Sequence, residues 1–228
     1  MIKYIELVKS RPNISIERFH AHWRAAHTPL VLKISPSAMS GYIQSHRVDD
    51  GFWGFKPAGY QGILEIWFPD VAAQQNLLSA PEYLDHARPD EANFLDMENS
   101  PLAIAEEHIL KGTATRNPNE ARVFLLLRRK PDLSPENFKT ALLGPVGAQI
   151  AESLPTVTRI IATLPSGAPI FGNGEHYDAY VALSFPRLPA ADAAQSDTPA
   201  LRDALAKIAD TEHSAAMLSE QIVGRSPY

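Results

Sequence analysis

Apolar and polar positions alternate over residues 3–8. Tyr4, Glu6 and Val8 share one face and Ile5 and Leu7 the other, the two-residue period of a β-strand. The period then changes. Over residues 15–34, SIERFHAHWRAAHTPLVLKI, a turn of about 100° per residue gathers Ile16, Phe19, Trp23, Ala26, Leu30 and Ile34 into one stripe. This predicts an amphipathic helix packed on a sheet. Ser15 caps it, Ile14 staples onto Phe19, Pro29 bends or breaks its last turn, and Ser35-Pro36 ends it. Further strands are predicted at 41–48, 60–68 and 103–110, with a glycine- and aromatic-rich loop, DDGFWGFKPAG, between the first two. On the strand at 60–68, Ile63, Glu65 and Trp67 share one face and Leu64, Ile66 and Phe68 the other. Residues 71–96 read as two short helices broken near Pro81 and Pro89.

After a polar linker at 112–120 the pattern starts again. PNISIERF (12–19) returns 119 residues later as PDLSPENF (131–138), and YQGILEIWFP (60–69) returns as YDAYVALSFP (177–186). Ser134 again caps a helix, with Pro135 at its favoured first position and Leu133 stapled to Phe138. The chain reads as a duplicated β-α-β-β-α-β unit of about 110 residues. The expected class is α+β: two tandem ferredoxin-like units, 1–112 and 121–228, packed sheet to sheet as a pseudo-twofold α/β barrel. Such packing encloses both faces of each sheet. Glu6 and Glu65, carboxylates in mid-strand, must then be paired, neutral or at a pocket.

Composition removes several classes of function. A net charge of -5 gives no electrostatic footprint for nucleic acid. No apolar run is long enough to span a membrane, and the N-terminus does not resemble a signal peptide, so a cytoplasmic location is expected. The absence of cysteine excludes disulfides, thiolate nucleophiles and cysteine-ligated metals. No dinucleotide fingerprint, phosphate-binding loop or nucleophile elbow is present, so no cofactor is expected. The helix carries His20, His22 and His27, none of them at the i,i+4 spacing of helical zinc pairs, so no metal is expected.

The segment FHAHWRAAHTPL (19–30) resembles the EthD family of dimeric α/β-barrel proteins. Phe19, Trp23, His27, Pro29 and Leu30 occupy the family's places for a Phe, a Trp, a His, a Pro and an aliphatic residue. PDEANFLD (89–96) is similar to the family's acidic helix segment. The resemblance covers residues 1–112; the second half keeps Phe138 but has Leu142 and Val146 where the motif has Trp and His. It implies a ferredoxin-like fold doubled into a barrel, and small hydrophobic or aromatic ligands. Its relatives include isomerases, cyclases, dehydratases, decarboxylases and cofactor-free oxygenases.

The duplication supplies an internal control. Phe19, Tyr60, Phe68 and Pro69 recur in both halves and are assigned to packing. His27, Trp23, Glu65 and Trp67 become Val146, Leu142, Ala182 and Ser184, and Tyr42 and His46 become Ile161 and Pro165. This points to one pocket, in the first half, between the helix and its sheet. There His27 is the candidate general base or acid, and Glu65 its orienting or complementary partner. Tyr42 and His46 are placed to polarise a substrate oxygen. Trp23 and Trp67, with Phe52, Trp53 and Phe55 from the loop, form an apolar wall with a mobile flap. The plainer alternatives are a structural His27 on a backbone carbonyl, an ion pair for Glu65, and core roles for the indoles. The expected function is a cofactor-independent lyase or isomerase acting on a small oxygenated aromatic or polyketide-like compound. The alternatives are a cofactor-free monooxygenase of phenols and a non-catalytic, ligand-binding stress barrel. A homodimer is compatible with an internally paired barrel but not required by it.

Overall fold

A computed structural model describes residues 1–34, 38–115, 117, 120–166, 172–194 and 198–227, without the side chain of residue 223. The helix stop expected at Ser35-Pro36 and part of the linker at 112–120 lie outside the described residues. The N-terminal alternation becomes strand β1 (Ile2–Val8). The amphipathic segment forms α1 (Ile16–His22), a π turn (Trp23–His27) and α2 (Thr28–Ile34). The Ser15 side chain accepts a hydrogen bond from the Arg18 amide, as its capping role requires. β2 (Gly41–Asp50), β3 (Gly62–Phe68) and α3 (Val71–Ser79) follow, then a second π turn (Tyr83–Ala87), α4 (Arg88–Phe94) and β4 (Leu102–Lys111). The remainder is β5 (Ala121–Leu127), α5 (Pro135–Leu143), α6 (Pro145–Ser153), β6 (Arg159–Pro165), β7 (Ala179–Phe185), α7 (Leu188–Ala193), α8 (Thr198–Leu205) and β8 (Ala215–Arg225).

The eight strands make one closed antiparallel barrel in the order β1-β3-β2-β8-β5-β7-β6-β4. The sequence reading has two sheets covering each other; in the structure their edges are also hydrogen-bonded, through β2–β8 and β4–β6. No edge strand of this barrel is left unpaired, which removes a route to aggregation. Three apolar clusters result. One fills the barrel around Ile5, Leu7, Ile63, Phe124 and Tyr180. The other two lie between the barrel's outer surface and the helices of each half. No helix among the described residues is long and apolar enough to cross a membrane.

The barrel interior also holds charge. The Lys3 ammonium donates to Glu65 Oε1 at 2.7 Å, Glu107 Oε2 at 2.6 Å and Thr163 Oγ1 at 2.9 Å. The other Glu65 oxygen pairs with the Arg122 guanidinium, which also donates to Ser45 Oγ at 3.2 Å. These residues come from β1, β2, β3, β4, β5 and β6, so the network ties the two halves together. Burying an ion pair stabilises little in net terms, but removing one partner strands the other charge in a low dielectric. Glu65→Ala is therefore expected to lower the free energy of unfolding by about 3–5 kcal/mol. Urea denaturation measures this, and a loss below about 1 kcal/mol would remove the network as a stabilising element.

Candidate active site

The first half carries the proline-broken helices predicted from the sequence, but the breaks are π turns. Proline has no amide hydrogen and cannot complete the i→i−4 ladder. Two residues before Pro29 and again two before Pro89, the helix takes one wider turn, closed by Thr28 N on the Trp23 carbonyl and by Arg88 N on the Tyr83 carbonyl. The Thr28 hydroxyl donates to the same Trp23 carbonyl at 2.8 Å. Residues of both wide turns, Trp23 and His27 from the first and Tyr83 from the second, line one space. It is a cavity of about 610 Å³ between the helices and the outer face of β1–β4.

His27 lines this cavity and is buried. Its Nδ1 is 2.8 Å from Asp90 Oδ2, and the other Asp90 oxygen is 2.9 Å from His22 Nε2. Phe94 packs on both imidazoles, with centroids at 5.1 Å from His27 and 4.8 Å from His22. A carboxylate acceptor assigns the proton to Nδ1 and leaves Nε2 as the acceptor. Among the described residues no partner takes that Nε2. Burial pushes the His27 pKa below its ordinary value, opposed by the hydrogen bond and charge of Asp90. The ring is therefore neutral near pH 7, with a basic nitrogen available in an apolar space.

The other polar groups on the lining include Glu6, Tyr42, Tyr83, Arg88 and Glu91. Tyr83 donates to both oxygens of Glu91 at 3.0 Å, and Arg88 donates to Glu91 Oε2 at 3.2 Å. Burial raises Glu91 above the usual carboxylate range, against the pull of Tyr83 and Arg88. Tyr42 is pushed up to about 12, mainly by burial, and accepts a hydrogen bond from Gln44 at 3.2 Å. Met39, Leu64, Phe68, Leu77 and Leu102 supply much of the apolar wall.

Of the candidate residues singled out in the sequence, His27, Trp23 and Tyr42 meet on this cavity, together with the mid-strand Glu6. The others do not. Glu65 projects into the barrel, held by Lys3 and Arg122, so it does not orient His27; Asp90 does. Trp67 is inside the barrel too, with the Lys3 ammonium 4.8 Å from its ring centroid. His46 lies behind the cavity wall, stacked on Trp23 at 4.8 Å and donating from Nε2 to Gln44 Oε1 over 2.8 Å. Trp23 in turn lies over Gly62, where a Cβ would come within 2.9 Å of the indole. Phe52, Trp53 and Phe55 are no flap over this site. They are buried in the core of the second half, among Phe185, Leu201 and Leu205. Trp53 reaches it with φ of 56°, a costly left-handed conformation between Gly51 and Gly54.

Asp90, Glu91, Tyr83 and Arg88 escaped the sequence reading as site residues. Their signal was the second Pro-interrupted helix, whose break matches that of the first. Among the described residues no group of three or more His, Asp or Glu side chains is placed to hold a metal ion.

The model of the EthD domain matches residues 11–98. No curated protein sequence matches the chain. Among solved structures, an anthrone oxidase-like protein superposes with a TM-score of 0.64 at 11% identity, covering 100% of this chain and 94% of its own. A "putative monooxygenase" from Lactobacillus acidophilus has a TM-score of 0.53 at 14% identity, covering 97% and 98%. A "putative chlorite dismutase" has a TM-score of 0.54 at 9% identity, covering 99% and 96%. These likenesses establish the fold. The oxidase-like and monooxygenase names among these neighbours also correct the expected lyase or isomerase and agree with the oxygen-dependent alternative.

Two outcomes are expected from the histidine environments. Asp90→Asn removes the interaction that raises His27, so the His27 pKa, followed by NMR, should fall further; a rise would place the control elsewhere. His46 is held down to about 3 by burial and by the nearby charges of His20 and Arg24. Unfolded, it would protonate near about 6.5. Between those values the unfolded chain binds the extra proton, so stability falls as pH drops through that window. Urea midpoints measured across it should show a flatter pH dependence in His46→Phe than in the wild type.

Proposed function

We infer that this chain, which carries an EthD domain over residues 11–98, is an oxygen-dependent oxidase or monooxygenase of electron-rich, enolisable aromatic compounds. The observation that carries this reading is a neutral imidazole, fixed through Nδ1 by Asp90, on the wall of a large apolar cavity. The names of its structural neighbours support the same chemistry.

In this reading His27 Nε2 removes a proton from a carbon made acidic by flanking aromatic rings and a conjugated oxygen. The resulting carbanion is delocalised onto that oxygen. Molecular oxygen is the oxidant and bonds to the carbon, and the proton on His27 completes a hydroperoxide. Loss of the remaining C–H proton and of hydroxide gives a ketone and water. The balance is one CH₂ group and one O₂ giving one C=O and one H₂O, with no external reductant. Asp90 stabilises the imidazolium between the two proton transfers. The apolar wall keeps water from the carbanion.

The chain's organisation is read in the same way. The element order β-α-β-β-α-β occurs twice, and the barrel order places β4-β1-β3-β2 beside β8-β5-β7-β6. This supports two tandem ferredoxin-like units, 1–112 with the site and 121–228 without it. In the second, Leu142 and Val146 are packed into the core where Trp23 and His27 stand in the first.

Anthrone in an oxygen electrode tests the reading. Wild type is expected to consume oxygen and form the corresponding quinone, with no turnover under nitrogen. His27→Ala should lower kcat by about 10²–10⁴ while the circular dichroism spectrum is unchanged. No oxygen uptake with anthrone or hydroxynaphthalenes, or a His27→Ala rate near wild type, would sink it.

A further inference from the structure

Glu6 is a polar group of the cavity that the His27 chemistry leaves unused and that no described residue satisfies. It stands in the middle of β1 with Leu64 and Leu102 opposite it on the two neighbouring strands. Strand alternation puts its side chain on the helix-facing side with Tyr4 and Val8, away from the ion network inside the barrel. It lines the cavity, yet no described residue hydrogen-bonds or ion-pairs with its carboxyl. An acid placed in an apolar wall without a partner is costly to fold, and it becomes useful only when a ligand supplies the partner. The position 119 residues later is Leu125, buried in the apolar core of the second half. The acid therefore belongs to the half that has the cavity.

We propose that Glu6, as a neutral acid, donates a hydrogen bond to a phenolic or enolic oxygen of the substrate in the same cavity as His27, and so selects aromatic compounds that carry such an oxygen. This rests on the oxidase reading above and extends it. Removing a proton from carbon moves charge onto the conjugated oxygen, and a donor already in place stabilises that charge as it forms. The ionisable groups on the cavity around Glu6 are Tyr4 on β1, Tyr42 on β2, His27 in the first π turn, and Tyr83, Arg88 and Glu91 from the second helical segment. Burial and the Glu91 carboxyl push Glu6 up to about 8, with Arg88 pulling the other way. Arg88 itself is engaged by Glu91 at 3.2 Å. Near neutral pH Glu6 thus holds its proton. His27, lowered by burial, is already neutral there and adds no titration above it.

The test uses the full-length protein and 2,4-dinitrophenol, an aromatic that is a phenolate throughout the range from about pH 6 to about pH 10. Its affinity is measured by its visible absorbance across that range. Wild type is expected to bind it below about pH 8 and to lose at least about tenfold in affinity by about pH 10, as Glu6 ionises and repels the phenolate. Glu6→Gln keeps an N–H donor without the charge, so it should bind across the whole range with the alkaline loss removed. Glu6→Ala should bind about tenfold or more weakly at neutral pH. Glu91→Gln should move the alkaline limb without abolishing it. Circular dichroism checks that each variant folds. No binding by wild type, a flat wild-type profile, or an alkaline limb that persists in Glu6→Gln but vanishes in Glu91→Gln would each overturn the assignment. If the limb behaves as expected while anthrone gives no oxygen uptake, the oxidase reading falls and the Glu6 donor stands.

Discussion

Everything in this molecule is arranged around a barrel whose interior contains charges it cannot release to water. Lys3 and Arg122 stand 119 residues apart, at matching places in β1 and β5, so each half contributes one buried cation. Glu65, which has Ala182 as its counterpart, meets both. Loss of that carboxylate would leave Lys3 with Glu107 and Thr163 but would take the carboxylate partner from the buried Arg122 guanidinium, which is costly in a low dielectric. The network therefore links the two halves across the barrel interior, beside the β2–β8 and β4–β6 ladders. It also explains why a carboxylate that looks catalytic in the sequence is spent on architecture.

The inside of the barrel is filled by packing and ion pairs, and the cavity lies outside it, under the helices. There the two halves diverge. In the second half, Phe138, Leu142, Val146 and Ile150 fill the space with help from the Phe52–Phe55 loop of the first. In the first half, two prolines each force a wide helical turn, and His27 and Asp90 come from or just beyond those turns. A wide turn displaces side chains from the regular helical stripe, and it is a common local device at functional sites. Here it coincides with a cavity that packing has not closed.

The resulting site combines opposite requirements in one apolar space. His27 is kept neutral by burial but steadied by Asp90, so it can accept a proton and survive as an imidazolium. Glu6 is kept neutral by burial, with no partner for its carboxyl among the described residues, so it can give a hydrogen bond. Glu91, Tyr83 and Arg88 hydrogen-bond one another on the wall of the same space. A base and an acid that are both uncharged at rest suit a substrate that is itself uncharged and becomes anionic only on reaction.

Much of this could be read from the chain before any coordinates. Helical spacing set Trp23 and His27 near one face, and strand alternation set Tyr42 with His46 and Glu65 with Trp67, because these periods follow from backbone geometry alone. The repeated segments also matched the positions of helix starts and strands in both halves, as at Ser15 and Ser134. Alternation, however, is symmetric: it says that Glu6 and Glu65 occupy faces of their strands without saying which face meets the helices and which the barrel. That was decided by closure, which sent Glu65 inward to Lys3 and Arg122 and Glu6 outward to the cavity. The partnership of His27 with Asp90, 63 residues away, was equally beyond local pattern. It depends on where two bent helices cross, and only the packed fold sets that distance.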